Sequence, residues 1–68
     1  MIPWDYLLAV QWLKPGCYYV RREYGGTASL PADFSDHDGF LAWLVSSREV
    51  PEGCEGPPEV LAFTLEPQ

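Results

Sequence analysis

The first place where this sequence could do chemistry is its single histidine. His37 lies between Asp36 and Asp38, two positions after Ser35. Serine, histidine and aspartate are the residue types of a nucleophilic triad. Three near neighbours on one helical turn cannot form the line of hydroxyl, imidazole and carboxylate that activates a serine. We therefore interpret His37 as an exposed polar residue in an acidic helix cap.

Two cysteines are the other candidate nucleophiles. Cys17 and Cys54 are far apart in the chain and lack the spacing of a metal site. No cationic residue adjoins Cys54, and Glu52 and Glu55 beside it disfavour a thiolate. We interpret both as reduced thiols of a cytoplasmic protein, with a disulfide between them as the alternative. The sequence therefore predicts that the protein is not an enzyme.

A third chemistry, binding of a hard cation, is suggested by three aspartates at positions 33, 36 and 38. A calcium loop with Gly39 at its sixth position would begin at Phe34, which offers no side-chain ligand. Helix capping explains Asp36 and Asp38 without a metal. We expect neither a metal site nor a cofactor.

The stretch that must position these residues is a helix between Ser35 and Arg48. Ser35 fits the N-cap, with Asp38 at the partner position of a capping box. The helix should end near Ser47, because Pro51 restricts the residue before it. Its apolar stripe consists of Phe40, Leu41, Leu44 and Val45, widened by Trp43.

Residues 5–13 fit either a strand or an N-terminal helix. Lys14-Pro15-Gly16-Cys17 suits a type II turn, and the following CYYVRREY is typical of a strand, so a hairpin is favoured. The second strand should end at Gly25-Gly26. Two sets of side chains alternate along it: Tyr18, Val20, Arg22 and Tyr24 toward the helix, and Tyr19, Arg21 and Glu23 toward solvent.

The last apolar run, residues 59–65, predicts a third strand with Leu61, Phe63 and Leu65 facing the core. Residues 49–58 are rich in Pro, Gly and Glu and predict a loop. The chain is therefore expected to be a single α+β domain, residues 1–68. It has the order β-β-α-β, with one helix packed on one face of a small, antiparallel, three-stranded sheet. The sequence predicts neither a signal peptide nor a membrane span.

Charge is distributed unevenly along the chain. The net charge is −6, made up of +1 over residues 1–24 and −7 over residues 25–68. Such a field repels nucleic acids and anionic membranes and attracts basic protein surfaces. We therefore expect a basic protein as partner, with no direct contact to nucleic acid or membrane. A monomer is expected, and a homodimer through surplus aromatic side chains is the alternative.

The acidic residues are the main functional lead. Carboxylates along a loop stiffened by Pro can lie several ångströms apart, roughly the spacing of successive phosphates. Such a surface could occupy a groove built for DNA or RNA, and a solvated loop that binds nothing is the alternative. Exposed aromatics, Tyr19 above all, are a second lead because they anchor interfaces. The candidate partner-binding residues are Asp33, Asp36, Asp38, Glu52, Glu55, Glu59 and Tyr19.

In size, charge and lack of catalytic motifs the whole chain resembles the small acidic anti-CRISPR proteins of phages. It resembles most the members that mimic nucleic acid, in particular inhibitors of type I effector complexes. The resemblance implies a non-enzymatic inhibitor that acts in the host cytoplasm and blocks target DNA from a basic groove. A small interaction or assembly protein that docks through the aromatics of its hairpin is the alternative function.

Overall fold

Three strands of equal length form an antiparallel sheet in which the N-terminal strand lies in the middle. The computed structural model describes residues 1–16 and 18–68. The strands are β1 (Ile2–Lys14), β2 (Tyr18–Leu30) and β3 (Glu55–Pro67), in the spatial order β2-β1-β3, and the helix α1 is His37–Ser46. The predicted β-β-α-β order is confirmed, and the alternative of an N-terminal helix is wrong.

The predicted hairpin turn includes Cys17, which lies outside the described residues. The alternative of a disulfide between Cys17 and Cys54 therefore also lies outside them. Gly16, at the turn position that requires a positive φ, has a φ of 102°.

The core lies between the middle of β1 and the helix. Leu8, Val10 and Trp12 alternate on one side of β1 and pack with Leu44 of the helix. Each of these side chains is almost wholly buried, and burial of this kind stabilises a fold by roughly 1.5–3 kcal/mol per residue. Phe40, Leu41 and Val45 pack against the same cluster, as the predicted stripe requires. Trp43 does not widen that stripe, since 60% of its surface is exposed.

The prediction that β2 ends at Gly25-Gly26 is wrong, since the strand continues to Leu30. Gly26 lies opposite Tyr6 of β1, whose ring covers it. A methyl group on Gly26 would lie only 2.9 Å from the Tyr6 hydroxyl oxygen. The glycine therefore gives an aromatic side chain room to cross the strand, and it does not mark the end of pairing.

β3 begins at Glu55, so residues 55–58 belong to a strand and not to the predicted loop. Pro57 and Pro58 are tolerated because β3 is an edge strand and both lie in the irregular segment between the pairs Gln11–Glu59 and Leu13–Glu55. The pairing with β1 shifts at Ala9/Val10, where Leu61 is the extra residue of the bulge. Leu61 is therefore 41% exposed, contrary to the prediction, whereas Phe63 and Leu65 pack inward as expected.

The helix begins one residue later than predicted. Its N-cap is Asp36, whose carboxylate accepts a hydrogen bond from the backbone N–H of Gly39 at 3.1 Å, and the predicted cap at Ser35 is wrong. The prediction that the helix ends near Ser47 is confirmed, since Ser47 is the C-cap.

Gly39 and the cap are coupled, because a methyl group on Gly39 would collide with the Asp36 carboxylate. We expect Asp36→Ala to cost about 1 kcal/mol of unfolding free energy. Gly39→Ala alone should also destabilise, because it displaces the cap. In the Asp36→Ala background the same change should stabilise by up to about 1 kcal/mol, the helix preference of alanine over glycine. The free energies of unfolding of the wild type, the two single variants and the double variant are measured by urea unfolding followed by circular dichroism. If the two substitutions had additive effects, the coupling would be contradicted.

Candidate functional site

The molecule is elongated, with extents of 44 × 17 × 16 Å along its principal axes. The helix runs along the sheet, and we name the two ends of the molecule by what lies there. At the end where the helix begins, Trp4 lies against the rings of Phe34 and His37, with centroids 6.1 and 6.0 Å away. We call this the helix-start end. At the other end, Leu13 pairs with Glu55 beside the β1–β2 hairpin. We call this the hairpin end.

The structure divides the six predicted acids between these ends. Residues 33, 36 and 38 lie at the helix-start end, in and beside the cap. Glu55 lies at the hairpin end and Glu59 is opposite Gln11. Glu52 also belongs to the hairpin end, because a methyl group on the next residue, Gly53, would lie 3.4 Å from Lys14 Cε. Trp4 and Leu13 are nine residues apart on one strand, a distance of about 30 Å. The six carboxylates therefore form two separate groups.

The side of the sheet away from the helix carries both an acidic and an aromatic candidate. Side chains of directly paired residues share one side of a sheet. Leu13 pairs with Tyr19 on one neighbouring strand and with Glu55 on the other, where a second register shift separates this pair from Gln11–Glu59. One step along, Gln11 donates a hydrogen bond from Nε2 to Glu59 Oε2 at 2.7 Å. We call these five residues the hairpin-end patch.

The hairpin-end patch is open to solvent. Tyr19 is 62% exposed and Leu13 is 48% exposed. A leucine and a tyrosine side by side at the surface can form the apolar centre of an interface, with Glu55 and Glu59 beside it. The sequence did not single out Leu13. Its place follows from the alternation of β1, which puts Leu7, Ala9, Gln11 and Leu13 on one side.

All ten carboxylates of the chain are exposed. Within the described residues a single ion pair occurs, between Arg21 Nη2 and Glu23 Oε1 at 2.9 Å. Both partners are solvent-exposed, so the pair adds little stability. At the helix-start end Asp5 lies directly opposite Glu66, which places two like charges side by side. The acidic field therefore reaches both ends of the body and is hardly neutralised by the chain itself.

The histidine region does not assemble a catalytic group. The His37 ring stacks on Phe34, with centroids 6.0 Å apart and an interplanar angle of 13°. In the described part of the chain no hydrogen bond joins the side chains of Ser35, His37 and Asp38. His37 is exposed, as predicted, and also forms part of an aromatic group at the helix-start end that the prediction missed.

Across residues 1–16 and 18–68, no three side chains of His, Cys, Asp or Glu come together in a way that could hold a metal ion. The described helix is too short and too polar to cross a membrane. Comparison with protein-family models, with curated proteins and with solved structures finds no match to this chain.

Proposed function

We propose that the chain is a non-enzymatic inhibitor that binds a basic, nucleic-acid-binding groove of a partner protein. By occupying that groove it blocks DNA, in the manner of the acidic anti-CRISPR proteins, and it acts as a monomer in the cytoplasm. The observation that supports this most is the set of ten exposed carboxylates on an elongated body, of which only Glu23 forms an ion pair within the described residues.

The carboxylates follow one another along the length of that body at average intervals close to those of phosphates on a nucleic-acid strand. Ten carboxylates over 44 Å correspond to about one negative charge per 4.4 Å, and a strand of duplex DNA has one per roughly 3.4 Å. Among the described residues only Glu23 forms an ion pair, while Asp5, Asp36 and Glu59 accept hydrogen bonds from uncharged groups. Nine carboxylates therefore lack a cationic partner within these residues and can pair with arginine and lysine of a groove. Long-range attraction between such surfaces speeds association and selects basic partners.

The hairpin-end patch supplies what charge alone does not. Charged groups at the rim of an interface contribute mainly rate and specificity, while buried aromatic anchors carry much of the affinity. Tyr19 and Leu13 offer such an anchor next to Glu55 and Glu59. The partner is therefore expected to combine basic residues with an apolar contact at one end of its groove.

Competition with nucleic acid tests this function. The immobilised chain is incubated with bacterial lysate at low salt, and the retained proteins are identified by mass spectrometry. We expect a nucleic-acid-binding protein that is released both by duplex DNA and by salt, because at 0.1 M salt the attraction between exposed charges more than about 10 Å apart is largely screened. Retention of a partner that neither DNA nor salt releases would contradict the proposal.

The second candidate function is docking through the hairpin aromatics, supported by Tyr18 and Tyr19, which are 67% and 62% exposed. In this case the acids only keep the protein soluble. The same captured partner distinguishes the two. Binding that is insensitive to salt but lost on Tyr19→Ala favours aromatic docking, and binding that weakens steeply with salt favours nucleic-acid mimicry.

A further inference from the structure

A cavity of about 430 Å³ lies between the last turns of α1 and the beginning of β3. Its volume falls in the range of small-molecule sites, about 300–1,000 Å³. Most of its wall is apolar and comes from Val45, Val50, Pro57 and Pro58. Two of the polar groups that line it, on Trp12 and Arg48, could orient a ligand.

The indole of Trp12 provides an unused hydrogen-bond donor at this cavity. Trp12 is only 1% exposed, and its Nε1–H, like that of Trp4, has no hydrogen-bond partner among residues 1–16 and 18–68. Buried tryptophan N–H groups are normally paired. Gly56 leaves space beside the donor, since a methyl group on it would lie 3.9 Å from Trp12 Nε1. The same methyl group would lie 3.6 Å from Val50 Cγ2, an ordinary contact distance.

Arg48 provides a positioned positive charge without a counter-ion. Its guanidinium lies over the Tyr24 ring at 5.0 Å, and its Nε donates to the Leu44 carbonyl oxygen at 3.3 Å. No carboxylate within the described residues forms an ion pair with it, the neighbouring Glu49 included. Arg48 and Arg22 also line an adjoining cavity of about 410 Å³, so half of the four basic side chains lie on this side of the molecule.

We propose that this cavity binds a small carboxylic acid with an apolar body. The carboxylate accepts a hydrogen bond from Trp12 Nε1 and pairs with Arg48, and the body packs on Val45, Val50 and Pro58. A carboxylate adds a charge-assisted contact with Arg48 that a neutral apolar molecule cannot make, and an apolar body covers a wall that a bare anion would leave open to water. This site is independent of the hairpin-end patch, because Trp12 and Leu13 point to opposite sides of β1.

Nuclear magnetic resonance of the ¹⁵N-labelled protein tests the site with 4-phenylbutyrate as the probe. The chain has three tryptophans. Signals lost in Trp4→Phe and Trp43→Phe identify those two indole N–H groups, and the third belongs to Trp12. We expect saturable shifts of the Trp12 signal alone, with a dissociation constant of about 1 mM or below, as for a ligand of this size.

Three controls separate this site from loose association. Gly56→Ala places a methyl group beside Nε1 and should abolish the shift, while the wild-type fold is retained because both new contacts are ordinary ones. Arg48→Gln, or replacing the probe with 4-phenylbutyramide, should weaken binding by about tenfold or more, as expected for a charge-assisted contact. Absence of a saturable Trp12 shift would overturn the proposal. So would equal shifts of all three indoles, or unchanged binding in Gly56→Ala.

Discussion

Replacing Trp12 with alanine should cost about 3–5 kcal/mol of unfolding free energy, as large aromatic truncations in cores do. The side chain is 1% exposed and packs in the cluster of Leu8, Val10 and Leu44. At about 0.05–0.15 kcal/mol per residue, a domain of this length has roughly 3–10 kcal/mol in all. The variant is therefore expected to be largely unfolded at 37 °C, as measured by urea unfolding followed by circular dichroism.

Two variants control for tryptophan loss in general. Trp43→Ala removes a side chain that is 60% exposed and should cost no more than about 1 kcal/mol. Trp12→Phe keeps an aromatic ring in the core and removes the unpaired Nε1–H, so the cavity cost is partly offset. An effect of Trp12→Ala no larger than that of Trp43→Ala would show that the helix and sheet do not share one core.

The order of elements was predictable because side-chain periodicity reports burial locally. Leu8, Val10 and Trp12 alternate along a strand, and Leu44 lies in a helical stripe. The predicted strand ends are wrong at positions where glycine and proline lie inside a strand. Gly26 lies within β2 to accommodate Tyr6, and Pro57 and Pro58 lie on an edge where a missing N–H costs little. Both effects depend on which strands are neighbours, and that information is not local.

The candidate surface was less predictable than the fold. Asp33 and Glu55 could be identified as exposed acids from composition, but their separation by the length of the sheet follows from the path of the helix. The grouping of Tyr19, Leu13 and Glu55 follows from the pairing register, since these residues come from three strands. A shift of one residue in either pairing would place them on opposite sides of the sheet.

The two acidic groups allow the effect of net charge to be separated from that of direct contact. One variant carries Asp33→Asn, Asp36→Asn and Asp38→Asn, and the other carries Glu52→Gln, Glu55→Gln and Glu59→Gln. Each removes three negative charges and keeps one acceptor oxygen on every side chain, at nearly unchanged size. Asparagine at position 36 also preserves the helix cap. Both variants should therefore fold as the wild type does.

We expect the glutamine variant to lose roughly a hundredfold in affinity for the captured partner, because it removes three charge-assisted contacts at about 1 kcal/mol each, two of them from Glu55 and Glu59 in the patch of the Tyr19 anchor. The asparagine variant should lose several-fold, mainly in association rate, since distant charges act by steering. Association and dissociation rates at several salt concentrations separate these effects. Equal losses in both variants would mean that net charge alone drives binding, and the hairpin-end patch would not be the contact surface. Unchanged affinity in both would exclude nucleic-acid mimicry, because a groove built for phosphates must respond to the loss of carboxylates.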